Sequence, residues 1–389
     1  MLWLAFSPIS GRGLRIDPER CFTPHPKGGT WRRRMGQPIY LFAISHQLTL
    51  LDERTYFLYS DSNGFKTQHH ESFMPGTYAH LMITEKALER FRGNQDINEK
   101  LRGSALTHSH FVHLGSIGPD YPYLDIIQPK QKDWADHMHY RHTGDVIKTM
   151  TRKLLDLGTQ GFQKEEFIIP FCWTLGYLSH VTSDLVVHPV VSNIVGPYKG
   201  NETQHRNGEM IQDTFIYHQI RRGAEIEHSA LMKIIEICSN PDDKDKIHPI
   251  LLDFWRDMLK IHFPVDYQEN RPEIDEWHDQ FEDWMKIAGR PVFVGRIFDP
   301  QHKFTYKKSI EITPKERETF LDRLPLPDGK FGTYERDVFP KVVEHVTDQW
   351  VFLSKGIFMG NINQFLSSIT NCDLDTGRDL QTGNLVYWS

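Results

Sequence analysis

Apolar residues recur at three- and four-residue spacing along most of the chain after Met74. This spacing is typical of helices that bury one face, and the alternation expected of strands is sparse in the same region. Gly76 marks a boundary, and Thr77 can cap a first helix. Further helices are predicted over 133–157, 167–188, 204–237, 251–261, 274–287 and 334–366. We therefore predict an all-α fold, a multi-helix bundle.

The same pattern divides the chain into three regions. Residues 1–73 have weak periodicity and frequent glycine and proline, so we predict an N-terminal extension of uncertain structure, in which 39–60 could form a hairpin. Residues 74–230 are predicted to be a helical core that holds the candidate site. Residues 231–389 are predicted to be a C-terminal helical region packed on that core, ending in a polar surface tail over 373–389.

Composition and charge exclude several classes of protein. A hydrophobic fraction of 39% and a charged fraction of 25% are typical of a globular chain. The formal net charge of −6 argues against nucleic-acid binding driven by bulk charge. The most apolar run, 167–178, is shorter than the roughly 20 residues that span a bilayer, so no transmembrane segment is predicted. The start lacks the pattern of a signal peptide, and the scattered cysteines fit a reducing compartment, so we expect a cytoplasmic location.

Histidine is the residue type that points to chemistry, because 14 of the 21 histidines lie between His69 and His228. The strongest pattern is His180, Asp184 and His188, spaced four apart in an otherwise apolar helix. Residues at i and i+4 share a helix face, so two imidazoles and a carboxylate point to one side. Buried ionisable groups need a partner or a metal. The alternative is a hydrogen-bonded histidine–aspartate pair in a helical core.

Two weaker patterns follow the same logic. His205 and Glu209 repeat the four-residue spacing on the next predicted helix, one short loop after His188. Asp120 follows a glycine–proline pair that would hold its carboxylate in place, although an aspartate there can also cap its own turn.

The remaining candidates are single histidines on predicted helices. His80 lies on the apolar face of the first helix. On the predicted helix 133–157 one of His137 and His139 could face inward, and the spacing does not decide which. Together the candidates offer imidazole and carboxylate groups without thiolate. This donor set suits zinc in a site that keeps a water, and several such groups also suit a phosphoesterase with more than one metal ion.

The order of these motifs resembles the zinc-dependent phospholipase C family, the related zinc-dependent single-strand nucleases and the catalytic domain of glycosylphosphatidylinositol-specific phospholipase D. The resemblance covers about residues 74–217, so it places the catalytic core within 74–230. The matching segments, in chain order, are Ala79-His80-Leu81, Asp120-Tyr121, Met138-His139-Tyr140, the run from Leu175 through His180 to Asp184, and His205 to Glu209.

The resemblance implies a cluster of up to three zinc ions. One ion would take Asp120, His139, His180 and Asp184; a second would share Asp184 and take His80; a third would take His188, His205 and Glu209. The resemblance also implies catalytic roles for Asp120 and Asp184, and Tyr121 would contact the substrate headgroup. One departure is the gap between Asp184 and His188, which is shorter than the family spacing.

A second departure concerns the start of the chain. Secreted members of the family use a processed N-terminal tryptophan as a zinc ligand, and no residue here matches it. Met74 resembles a natural start, so residues 1–73 are hypothesised to be dispensable or an upstream translation. A trimmed Met74 would leave the amine of Pro75 free near His80.

The expected function is zinc-dependent hydrolysis of a phosphodiester, in which hydroxide generated by the metal attacks phosphorus. The resemblance implies phospholipids as the favoured class of substrate. This function would involve peripheral contact with a membrane. One alternative is a single-strand nuclease, for which Tyr123, Trp134 and Phe171 are available to stack bases. Net charge disfavours nucleic acid without excluding it. Another alternative is a non-catalytic binding or scaffold protein in which a metal ion only holds the helices together, although structural zinc sites usually contain cysteine.

Overall fold

The computed structural model of the chain describes residues 76–124, 128–288 and 306–388. The described residues belong to one compact unit, Gln68–Ser389. The hairpin expected over 39–60 and the proposed start at Met74 lie outside them. The division of the chain at residues 73 and 230 stays a prediction.

Helices make up most of the described chain, which confirms the all-α prediction. Their bounds are α1 Thr77–Gly93, α2 Glu99–Thr107, α3 Ser109–Gly115, α4 Asp133–Tyr140, α5 Thr143–Gln160, α6 Glu165–Val195, α7 Glu202–Ile220, α8 Ser229–Cys238, α9 Pro249–His262, α10 Pro264–Glu269, α11 Ile274–Ala288, α12 Pro314–Arg317, α13 Phe339–Met359 and α14 Ile362–Ser368. Short 3₁₀ segments cover Gly118–Leu124, Pro129–Lys132 and Ser309–Glu311, and π-helical turns cover Glu318–Asp322 and Tyr334–Val338.

The described strands form three short antiparallel pairs. They are β1 Ser239–Asn240 with β2 Asp243–Ile247, β3 Leu324–Pro325 with β4 Phe331–Gly332, and β5 Cys372–Asp373 with β6 Arg378–Asp379. None of these pairs is long enough to form a layer of its own, so they close loops between helices.

Two predicted helices are in fact broken by residues with positive φ. The predicted helix 133–157 is α4 and α5, because His142 between them has a φ of 54°. The predicted helix 204–237 is α7 and α8, separated by Arg222 with a φ of 53°. Such left-handed backbone cannot continue a right-handed helix. Gly223, which follows Arg222 and has a φ of 94°, is the sequence signal of the second break, whereas no glycine with a positive φ marks the first.

The predicted end of the central helix at His188 is wrong, because α6 continues through Pro189 to Val195. Proline has the φ of a helix, but it lacks the N–H that would bond to the carbonyl of Leu185, and its ring crowds that carbonyl. The apolar side chains of Val190 and Val191 beyond it are buried, and this burial offsets the lost hydrogen bond.

Helix α6 is the centre of the fold. All its residues from Phe167 to Val186 are buried, as expected of a helix that is apolar on every side. Helices α1, α3, α5, α7, α9 and α13 pack around it. The closest packing is with α3, where Gly115 faces Gly176 and the two backbones touch. This position surrounds the polar groups of α6 with side chains from several other helices.

The polar segment at the end of the chain packs on the surface of the helices through two buried apolar residues, while residues 380–384 are exposed. Trp388 is buried and donates its Nε1–H to the carbonyl of Val186 on α6, with an N···O distance of 2.8 Å. Leu374, next to β5, is fully buried. The apolar residues Leu374 and Trp388 therefore fix this segment against α6, despite its polar composition.

Candidate metal centre

Four predicted residues converge at the middle of α6. His180 and Asp184 come from α6, His139 from α4, and Asp120 from the 3₁₀ turn after α3. His139 Nε2 lies 3.2 Å from Asp120 Oδ1 and 3.2 Å from His180 Nε2. His180 Nε2 lies 3.1 Å from Asp184 Oδ2. All four side chains are buried, so they form a polar cluster inside an apolar core.

The spacing within this cluster suits a tetrahedral ion. Zinc–ligand bonds of about 2.0–2.1 Å place tetrahedral ligand atoms about 3.3 Å apart. Two further distances are 3.8 Å from His139 Nε2 to Asp184 Oδ2 and 3.9 Å from His180 Nε2 to Asp120 Oδ1. The ligand atoms of His139, His180 and Asp184 all lie within 4.8 Å of one another, and so do those of His80, Asp120 and His180.

Backbone carbonyls orient both imidazoles. His139 Nδ1 lies 2.8 Å from the carbonyl oxygen of Ala135, one turn earlier in α4. His180 Nδ1 lies 3.0 Å from the carbonyl oxygen of Ser116, at the end of α3. Since a carbonyl only accepts, each Nδ1 carries the hydrogen, and each Nε2 in a neutral ring has its lone pair directed into the cluster.

A second group uses the other oxygen of Asp184. Asp184 Oδ1 lies 3.3 Å from His80 Nε2 and 3.6 Å from His188 Nε2. His188 Nε2 also lies 3.8 Å from Glu209 Oε1. A cavity of about 20 Å³ adjoins these four side chains, large enough for one water or one ion. Asp184 therefore joins two sets of ligand atoms, one on each carboxylate oxygen.

The other predicted residues are placed less simply. His205 is buried, but its Nε2 lies 2.8 Å from the carbonyl oxygen of Gly196, and only its Nδ1 has no partner. His137 is not in the cluster: it pairs with Asp266 at 3.2 Å and stacks on Phe263. The structure therefore places His139, and not His137, among the clustered side chains.

Tyr121 does not reach the cluster. Its ring is fully buried and stacks on Phe281 with 4.7 Å between centroids, on the core side of the 3₁₀ turn. The neighbouring Tyr123 faces the site instead, with its ring 5.5 Å from that of His139. The turn places alternate tyrosines on opposite sides, which the sequence alone did not resolve.

Charges in the cluster stabilise one another. Burial alone would lower the pKa of His139, but the hydrogen bond and charge of Asp120, with the charge of Asp184, raise it to about 9. Burial would also lower the pKa of His188, but Asp184, Asp375 and Glu209 raise it to about 10. Burial raises the pKa of Glu209 to about 8, although His188 opposes this. The metal-free centre therefore holds protons that a cation would displace.

The pKa of Asp184 is lowered well below its usual value. Burial would raise it, but the charges of His180 and His188 and hydrogen bonds from His180 and His80 outweigh that effect. Asp184 Oδ2 nevertheless lacks a hydrogen bond of good geometry while fully buried. This buried, ionised oxygen faces the ligand nitrogens His180 Nε2 at 3.1 Å and His139 Nε2 at 3.8 Å, and a metal ion would satisfy all three atoms, so this donor set fits zinc.

Sequence reasoning missed Asp213, which holds the start of α1. Its buried carboxylate accepts the backbone N–H groups of Tyr78 at 3.3 Å and Ala79 at 2.6 Å, and the hydroxyl of Tyr306 at 2.8 Å. Helix α1 has no side-chain cap of its own, so Asp213 supplies one. The available signal was its position four residues after Glu209, on the same face of α7.

Sequence reasoning also missed Asp375, in the turn between β5 and β6. Its Oδ1 lies 3.3 Å from His188 Nδ1. No local pattern marks this residue, because it stands in a short polar hairpin far from every other candidate in the sequence.

Residues 79–264 match the model of a protein family described as zinc dependent phospholipase C. This segment belongs to the zinc-dependent phospholipase C family. No curated protein and no solved structure gives a significant match to the chain. The phospholipase C family is in general a family of hydrolases, so the matched segment is a hydrolase-family domain. The match contains every predicted ligand from His80 to Glu209.

The phospholipase C domain is expected to release protons when it binds zinc, because metal ligands must be deprotonated. His139 and His188 have pKa values of about 9 and about 10, so both imidazoles are charged at neutral pH before the metal binds. Apparent zinc affinity should therefore rise with pH, by about tenfold per pH unit for each proton displaced. Titration calorimetry in buffers of different ionisation enthalpy measures the number released.

A histidine pair on α4 provides the matched comparison for this experiment. His139→Gln should reduce the number of protons released, whereas His137→Gln should leave it unchanged, because His137 pairs with Asp266 outside the cluster. Zinc binding without proton release, or equal effects of the two substitutions, would contradict the assignment.

Proposed function

We propose that the chain is a zinc-dependent phosphodiester hydrolase of the phospholipase C type, acting on phospholipids. The observation that carries the proposal is the shared carboxylate of Asp184, which faces two sets of imidazole and carboxylate groups from its two oxygens. Paired metal sites of this kind are typical of enzymes that displace a leaving group from phosphorus. The family match to residues 79–264 supports the same reaction class.

The proposed ligand sets follow the two oxygens of Asp184. One ion would be held by Asp120, His139, His180 and Asp184, as the resemblance implies. A second would be held by His80, Asp184, His188 and Glu209, which line one cavity between them. This assignment places His80 and Glu209 on the same ion, whereas the resemblance alone divided them. His205, with its unpartnered Nδ1, is proposed as a ligand of the same region.

When bound, zinc polarises the phosphoryl oxygens of the substrate and lowers the pKa of a water toward about 7. The protein's own groups direct the rest of the chemistry. Asp120 has a lowered pKa, because the charges and hydrogen bonds of His180 and His139 outweigh its burial. It is therefore ionised at neutral pH, and we propose that it accepts a hydrogen bond from the attacking water and orients it toward phosphorus.

We propose that Tyr123 rather than Tyr121 lines the substrate side of the centre. Tyr123 is partly exposed, and its hydroxyl donates to Asp136 at 2.8 Å, which fixes the ring beside His139. A fixed aromatic face next to the metal ligands suits the apolar part of a lipid near its phosphate. No helix among the described residues has the length and hydropathy to cross a bilayer. Peripheral membrane contact and a cytoplasmic location are parts of this proposal.

The nuclease alternative has less support than the sequence indicated. Two of the aromatic residues considered for base stacking, Trp134 and Phe171, are fully buried in the core. Stacking on bases requires an exposed ring face. Tyr123 alone among the three is exposed at all, so the platform that single-strand binding would use is incomplete.

The test is hydrolysis by the purified, zinc-loaded chain of three substrates: phosphatidylcholine vesicles, a chromogenic phosphodiester and single-stranded DNA. We expect release of a phosphorylated headgroup from the vesicles, and its loss on chelation and return with zinc. Faster hydrolysis of DNA than of lipid would identify a nuclease. Zinc binding without turnover of any substrate would identify a metal-stapled scaffold.

A further inference from the structure

The C-terminal hairpin, Cys372–Asp379, is attached to the helices that carry the metal ligands. The backbone N–H of Leu374 donates to the carbonyl of His139 at 3.1 Å, and the hydroxyl of Thr143 donates to the carbonyl of Cys372 at 2.9 Å. These bonds tie the hairpin to the end of α4 and the start of α5. The hairpin lies well beyond the matched segment 79–264.

The hairpin also contacts α6 beside His188. Gly377 has a φ of +65°, and a Cβ built there would lie 2.7 Å from the carbonyl oxygen of Leu185 and even closer to Pro189. Glycine is required both by this backbone conformation and by the absence of space. The hairpin thus packs where Pro189 has left the carbonyl of Leu185 without its helical donor. This contact fixes the turn, residues 374–377, over the end of the metal centre.

Asp375 in that turn connects two site-bearing helices. Its Oδ1 lies 3.3 Å from His188 Nδ1, and its Oδ2 accepts the hydroxyl of Tyr140 at 2.6 Å. The side chain is only 17% exposed, so water competes weakly for these bonds. His188 Nε2, on the other side of the ring, faces Asp184 and Glu209.

We propose that Asp375 is a positioning residue of the metal centre, which holds the His188 ring and its Nδ1–H so that Nε2 is presented to the cation. This inference rests on the proposed zinc site. A carboxylate that accepts from the distal nitrogen of a ligand histidine fixes the tautomer and makes the ligand nitrogen more basic. Asp375 is placed to act through His188, because its Oδ1 faces the distal nitrogen of that ring.

His188 needs such a partner more than the other histidines do. His139 and His180 donate their Nδ1–H to backbone carbonyls of rigid helices. His188 is the residue before Pro189, near the end of the buried part of α6, and its side chain is 18% exposed. Without Asp375 its ring could rotate and its protonated nitrogen could face the cation. The hairpin, which lies outside the matched family segment, therefore supplies the acceptor for the Nδ1–H of His188. Backbone carbonyls supply that acceptor for His139 and His180.

The experiment measures zinc affinity in the full chain by competition with a chromogenic chelator, and the visible spectrum of the cobalt-loaded protein. Asp375→Asn should weaken the affinity for one ion by about ten- to a hundredfold and alter the cobalt bands. Asp373→Asn is the matched control, because it removes the same charge from the same hairpin while its side-chain oxygen can still accept from Thr376 N–H. The control should bind zinc and cobalt as the parent does.

Two further results complete the test. Tyr140→Phe removes only the donor to Asp375 Oδ2, so we expect a smaller loss of zinc affinity. If Asp375→Asn fails to fold, this variant tests the positioning role in its place. Unchanged affinity and cobalt bands in Asp375→Asn, or equal losses in Asp373→Asn, would overturn the inference while leaving the proposed function intact. A parent chain that binds no zinc would overturn both.

Discussion

Replacing Asp184 with asparagine is expected to reduce phosphodiester hydrolysis by on the order of a thousandfold, at the upper end of the effect of losing one transition-state contact. Asp184 Oδ2 faces His180 and its Oδ1 faces His80, at 3.1 and 3.3 Å. An amide offers one weak oxygen ligand and one nitrogen that cannot bind a cation. The substitution therefore removes one ligand from each proposed ion rather than one ligand from a single ion.

The fold should survive this substitution, since asparagine has nearly the same size and shape as aspartate. Zinc content by mass spectrometry should fall by at least one ion per chain, while the circular dichroism spectrum stays that of the parent. Glu166→Gln is the control on the same helix, because Glu166 is exposed in the first turn of α6 and its loss removes one charge far from the centre. An Asp184→Asn protein with the parental rate and zinc content would refute the bridging role.

The parts of the site that sequence reasoning found are those fixed by helix geometry. His180, Asp184 and His188 stand four apart on one helix, so their convergence follows from the 3.6-residue repeat wherever that helix packs. The wrong prediction that the helix ends before Pro189 did not affect the site. The helix continues past the proline, but His188 already lies on the same face as Asp184.

The positions of His80, Asp120 and His139 could not be derived from spacing, because each comes from a different element. Their prediction depended on the order of motifs in a family, which carries information about packing that one helix does not contain. The family order carries no information on the direction of a side chain, so it did not show which of Tyr121 and Tyr123 faces the site. Tyr121 and Tyr123 differ by two positions in a 3₁₀ turn, and only the tertiary packing of Phe281 against the first places the second at the site.

Asp375 and Asp213 show what single-sequence reasoning lacks. Asp213 is buried and Asp375 is partly buried, by contacts with residues more than a hundred positions away, Ala79 and Tyr140 respectively. Asp213 continues the four-residue spacing of His205 and Glu209, but this spacing does not show that it caps α1, and an aspartate in a polar hairpin such as Asp375 is ordinarily solvated. Long-range packing, here driven by buried Leu374 and Trp388 on either side of the turn, creates the environment that makes Asp375 part of the centre.

The contact between α3 and α6 gives the second large effect, this time on stability. A Cβ at Gly176 would lie 2.7 Å from Gly115 Cα and 2.7 Å from the backbone nitrogen of Ser116, with the carbonyl oxygen of Val112 closer still. Every one of these atoms belongs to the backbone, so no side-chain rotation relieves the overlap. Gly176→Ala must push the two helices apart, and Ser116 then moves away from His180, to which its carbonyl is bonded.

Overpacking of a core costs about 1–3 kcal/mol and more where the backbone has to move, so we expect Gly176→Ala to destabilise the fold by about 3 kcal/mol or more. For a chain of this size that corresponds to a thermal midpoint lower by roughly 4 °C. Zinc affinity should fall as well, because His180 loses the carbonyl that orients it. Calorimetry on the metal-free chain separates the packing effect from the loss of metal.

Gly103→Ala is the control that distinguishes packing from the intrinsic preference for alanine in helices. Gly103 lies in α2, is exposed, and has no atom within 4 Å of a built Cβ. There the same substitution should raise stability by up to about 1 kcal/mol, because alanine favours helix over glycine. The two variants thus have opposite expected signs from one chemical change, and the sign at Gly176 is set by the backbone of α3 alone. Equal midpoints for both variants would mean that α3 does not approach α6 closely enough to hold the Ser116 carbonyl against His180.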